Sequence, residues 1–170
     1  MLNSDRAMYF ISINIHPYLA QYARVRFAQV DGAVLLPRDS IIHYALINRL
    51  QAPPKFAAAT QPGNLAVAVR ETETEKDVRR LNGLSDSANR HIEQLLRLDF
   101  DMTLHEYMDR AYYKQGTDYL QAAALFHQHY RLGSTITQEA LLKKHVRWKK
   151  RRRDYRKNSE QLELTYSTNN

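Results

Sequence analysis

The feature that most restricts the fold is a change of hydrophobic period near residue 80. Before it, short strand-like runs of alternating apolar and polar residues are interleaved with short helix-like ones; after it, apolar residues recur every three or four positions over long stretches. A period of two buries one face of a strand, and a period of 3.6 buries one stripe of a helix. The chain is therefore read as α+β. A small N-terminal mixed α/β half (1–80) precedes a helical half (81–157), and the polar end NSEQLELTYSTNN is read as a disordered tail (158–170).

In the first half, MYFISINI (8–15) reads as a strand and Pro17 opens a helix over 17–28. Asp31-Gly32 is a turn dipeptide leading into a short strand, AVLL (33–36), which Pro37 stops. Asp39 or Ser40 caps a helix over 40–50, with Ile42, Tyr44, Leu46, Ile47 and Leu50 on its apolar face. QAPPKFAAATQPG (51–63) holds three of the five prolines and reads as an extended loop. NLAVAV (64–69) resumes a strand, and ETETEKD (71–77) reads as a solvated edge or hairpin arm.

The second half yields a helix over 86–100 and a new start at Thr103, where Thr103-Leu104-His105-Glu106 matches a capping box for a helix over 104–115. Gly116 ends that helix, Thr117 caps the next (118–132), Gly133 breaks it, and Thr135 or Thr137 caps a last helix beginning near Gln138. Three helices, the last of them basic, make this half helix-turn-helix-like in a looser tri-helical form, because the stretch from Tyr130 to Gln138 exceeds the tightest such turn.

Charge is concentrated on that last helix. The chain carries +7, and residues 143–157 alone carry +9, so the remainder carries −2. At about 100° per residue, Leu141, Leu142, His145, Val146 and Trp148 fall on one side, while Lys143, Lys144, Arg147, Lys150 and Arg151 gather opposite them within about 120°. Past Trp148 the apolar stripe survives only at Tyr155, and Lys149, Arg152, Arg153 and Arg156 spread cations over the other faces. A helix so built projects beyond its support, and each Lys or Arg near a phosphate releases a condensed counterion. The nucleic-acid-binding set is thus Lys143, Lys144, Arg147, Lys149, Lys150, Arg151, Arg152, Arg153 and Arg156. Trp148 shares the Leu141 stripe and reads as packing rather than base stacking.

Signals for catalysis are weak. The seven histidines include no i, i+4 pair, and the five glycines form no phosphate-cradling loop. Asp99, Asp101, Glu106 and Asp109 cluster in sequence, with helix N-termini as their ordinary explanation, and Tyr112-Tyr113 lacks a partner set for strand transfer. No catalytic, metal or cofactor residue is assigned. The chain has no cysteine, no apolar run long enough to span a bilayer, and a start (MLNSDRAMYFISINIH) without a signal-type apolar core, from which a cytoplasmic location without membrane association is expected.

The function expected from these residues is that of a non-enzymatic DNA-binding protein, a small regulator or an accessory factor in replication, recombination or mobile-element transfer. The N-terminal half then forms a homodimer or meets another partner. Alternatives using the same helix are an RNA-binding or ribonucleoprotein-associated module, and a module for an acidic protein.

Overall fold

The alternation at the start forms strand β1 (Met8–Ile13), in which Ile11 and Ile13 are buried while Phe10 stays half exposed. The structure is a computed structural model that describes residues 7–52, 63–71, 77 and 80–168, with side chains described as far as residue 158. It bears out the α+β reading: a small mixed sheet with its helices, followed by a helical region. Most of the 51–63 loop and of the 71–77 arm lies outside the described residues. Among those described, no helix is long and apolar enough to cross a membrane.

The chain continues through α1 (Pro17–Arg26), β2 (Ala28–Val30), β3 (Ala33–Leu35), α2 (Ile41–Arg49) and β4 (Leu65–Arg70). The sheet order is β1-β4-β3-β2, with β1–β4 and β2–β3 antiparallel and β3–β4 parallel. Strand β2 corrects the sequence reading, which carried the first helix to residue 28. The chain leaves the helix at Phe27, which is extended, and Asp31-Gly32 then closes a β2–β3 hairpin. Both turn residues have positive φ, 51° and 79°, the conformation a two-residue hairpin loop requires. In α2, Ser40 accepts from His43 N–H as the cap, and Tyr44, assigned to the apolar face, is exposed.

Two asparagines fasten the end of β1. Asn64 accepts from Ile15 N–H at 3.1 Å and donates to Ile15 O at 2.6 Å, and Asn89 makes the same pair of bonds to Asn14. Each side-chain amide satisfies a backbone donor and acceptor where the sheet ladder stops.

Helix α3 (Asp86–Gln115) corrects the expected break at Thr103. No glycine or proline interrupts 86–115, and the buried positions Ala88, Ile92, Leu96, Phe100, Leu104 and Met108 run through the supposed junction at steps of four. Each step advances about 40° round the helix, so the buried face winds by roughly 160° between Ala88 and Leu104. A single helix can then serve two cores. Gly116, at φ 66°, ends it, and Thr117 N–H donates to Ala111 O at 3.1 Å.

By their contacts the residues group into two compact units. One compact unit runs to Asp101 and takes back Tyr130–Thr135, and the other holds Met102–His129 and the chain from Ile136 onward. In the first, Tyr18 and Tyr22 set their rings edge-on to Phe100 at 5.0 and 5.1 Å, and Tyr130 packs on Tyr22 at 4.9 Å. The first four turns of α3, past the sequence boundary at 80, supply part of this core.

The second unit adds α4 (Tyr119–His129) and α5 (Gln138–Thr168) to the end of α3. Asp118, rather than Thr117, caps α4 by accepting from Gln121 N–H at 2.8 Å, and α4 buries Ala122, Ala123 and Phe126 while Leu120 is exposed. The backbone of 158–168, expected to be disordered, continues α5, since the segment contains no glycine or proline and is rich in helix-forming Glu, Gln and Leu.

Gly63 enters β4 against the end of β1, and a Cβ there would lie 2.1 Å from Ile13 O. Gly63→Ala is expected to cost about 2 kcal/mol, read as a lower urea midpoint at unchanged slope. An unchanged midpoint would contradict a requirement for this close approach.

Candidate nucleic-acid interface

Helix α5 begins with Thr137 Oγ1 accepting from Ala140 N–H at 3.1 Å, which settles the cap between the two threonines. Leu141 and His145 are fully buried, Leu142 and Trp148 are half-buried, and Val146, expected on the same side, is 54% exposed. The buried stripe is therefore narrower than the sequence suggested. Residues 151–158 are exposed on every side.

Opposite the stripe, the expected cations are not equivalent. Lys143 Nζ lies 2.6 Å from Glu139 Oε1 one turn earlier, and this lysine holds the Glu139 carboxyl below its usual range. Lys144 is half-buried. Arg147, Lys150 and Arg151 remain as an exposed outer group, with Arg152, Arg153 and Arg156 exposed on the turns beyond.

Lys149 is held differently from its neighbours. Read as an addition to the phosphate grip, it donates to Tyr119 Oη at 2.6 Å and sits 4.7, 5.4 and 5.8 Å from the ring centroids of Tyr119, Tyr113 and Tyr112. Tyr112 stacks on Tyr119 at 4.4 Å, so the ammonium occupies an aromatic cage. The Tyr119 bond raises the Lys149 pKa, and burial raises that of Tyr119 despite the nearby ammonium. This charge is committed to packing.

Beneath the cage lies a polar cluster that the sequence reading missed. His145 Nδ1 is 3.2 Å from His105 Nδ1, and His145 Nε2 is 3.3 Å from Asp109 Oδ1. The latter approach is too poorly aligned for a full hydrogen bond and leaves the buried Nε2 without one. Tyr119 donates to the same Oδ1 at 3.4 Å. A proton on Nε2, facing the carboxylate, makes Nδ1 of His145 the acceptor and His105 the donor. His105 also stacks on Trp148 at 4.4 Å and 14°, and Arg152 lies over the indole at 5.4 Å. Trp148 thus packs, as read.

A histidine pair formed between two helices leaves no i, i+4 spacing on either one. The available signal was that His145 falls on the Leu141 stripe of α5 and His105 beside Leu104 of α3.

The acidic positions that neighbour one another in sequence are not one site. Asp99 accepts from Tyr22 Oη at 2.6 Å and pairs with Arg26 at 3.7 Å, while Asp109 belongs to the cluster under α5. The link between α4 and α5 includes a 3₁₀ turn (Gly133–Thr135), and Leu132 is fully buried, so it is a packed segment rather than a tight turn.

Burial holds the His145 pKa below the ordinary imidazole value; Lys149 acts in the same direction and Asp109 against it. The folded state then binds fewer protons than the unfolded one, so stability is intact above about pH 6.5 and falls as pH drops below it. His145→Gln should show a shallower decline of thermal midpoint between about pH 7 and 5 than the wild type. Equal declines would contradict this role. No family model, curated protein or solved structure matches the chain, so functional inference rests on these residues alone.

Proposed function

We propose that the protein binds DNA without catalysing a reaction on it, with α5 as the contacting element. One observation carries this reading: over residues 151–158 α5 is a continuous helix, exposed on every side, on which cations cover about two thirds of the circumference and Asp154 is the sole acid. A helix in a groove meets phosphates on both walls, and only a helix charged on several faces answers both. Arg147, Lys150 and Arg151 form the inner grip, and Arg153, Arg156 and Lys157 extend it. B-form DNA is favoured over duplex RNA because its major groove admits an α-helix, whereas the A-form groove is too narrow.

With roughly six phosphates neutralised, log K should fall against log salt with a slope of about −5. Substituting Arg147, Lys150 and Arg151 together by Ala should reduce that slope by about three, whereas Lys143→Ala, which removes a lysine already paired with Glu139, should change it by less than about one. Fluorescence anisotropy across a salt series measures both. A flat response, or equal effects of the two variants, would contradict the assignment.

A further inference from the structure

Past Lys149, helix α5 borders a cleft of about 530 Å³, within the range of small-ligand sites, lined by the end of α3 and the exposed turns of α5. Its chemistry is graded along the helix. Asp109 stands level with His145. At 1.5 Å of rise per residue, Arg153 lies about 12 Å and Lys157 about 18 Å further on, and Tyr113 and Trp148 also line the cleft.

Three observations restrict what fits. Tyr113 is 69% exposed, yet its ring is braced edge-on by Tyr112 at 5.0 Å and by the Lys149 ammonium, so it is an ordered, solvent-facing platform. The Asp109 contacts with Tyr119 and His145 both fall on Oδ1, which leaves the acceptor capacity of Oδ2. Arg153, Arg156 and Lys157 have no ion-pair partner among the described residues. The complementary ligand has a flat ring with a donor edge and an anion roughly 1 nm away. An acidic peptide or inorganic polyanion satisfies only the cations, and a paired base cannot offer its face because stacking covers it.

We propose that this cleft binds one unpaired nucleotide of a nucleic-acid strand, its base stacked on Tyr113 with the donor edge toward Asp109 and its phosphate on Arg153 and Arg156. The inference rests on the nucleic-acid reading of α5 and adds to it a place for a single-stranded end or an unstacked base.

Trp148, the only tryptophan, lines the cleft and reports on it. Its fluorescence is titrated at low salt with a short oligodeoxycytidine and with inorganic polyphosphate, while anisotropy follows a labelled, fully paired, blunt-ended duplex. The oligonucleotide should give saturable quenching. Tyr113→Ala, checked for helicity by circular dichroism, should weaken its binding by about tenfold and leave duplex affinity within about twofold. If that variant binds the oligonucleotide as well as the wild type while the duplex still binds, the cleft assignment fails and the α5 reading stands. Equal quenching by polyphosphate and oligonucleotide, unaffected by Tyr113→Ala, also overturns it. If neither nucleic acid binds, both readings fail.

Discussion

Two imidazoles, taken from residues forty positions apart and placed nitrogen to nitrogen at 3.2 Å in a buried setting, fix α5 to α3. A neutral pair can satisfy such a contact with one shared proton, whereas a doubly protonated pair would set two donors and two charges against each other. The pair is flanked by Asp109 on one side and by the Trp148 ring on the other. Since His145, Leu141 and Trp148 are successive turns of one stripe, this contact and the packing of α4 along α5 together set the rotation of α5 about its axis. Which cations are half-buried, caged or exposed follows from that rotation.

The second determinant is length. The contacts His105–His145, His105–Trp148 and Tyr113–Lys149 advance together along both helices, so α3 and α5 run side by side in the same direction. Helix α3 stops at Gln115, whereas α5 continues to Thr168. Beyond the turn that holds Lys149, nothing on α3 is left to cover α5, and the exposure of 151–158 follows. Sequence agrees with geometry here: the stripe that carries Leu141, His145 and Trp148 carries Arg152 and Arg156 once support ends. Burying those guanidinium groups unpaired would be costly, so their placement marks where packing finishes.

Much of the architecture was legible because it depends on local pattern. Alternation in MYFISI, the Asp31-Gly32 turn, Ser40 as a cap and Gly116 as a terminator act within a few residues, and each is found in the structure. The misread features are those decided by distant partners. The capping-box pattern at Thr103 yields to a core running through Phe100 and Leu104, and strand β2 exists because β3 pairs with it. At the candidate site, the outer group Arg147, Lys150 and Arg151 was visible from helical spacing alone. The capture of Lys149 by three tyrosines was not, because Tyr112, Tyr113 and Tyr119 lie thirty or more positions away.

DNA contact through α5 is tested most directly by lysine acetylation of the protein, free and bound to duplex DNA, with protection read residue by residue. Lys150 and Lys157 should be strongly protected by DNA, Lys149 should react slowly in both states because of its tyrosine cage, and Lys114 should be unchanged. Protection confined to lysines outside 143–157, or none at saturating DNA, would contradict α5 as the contacting element.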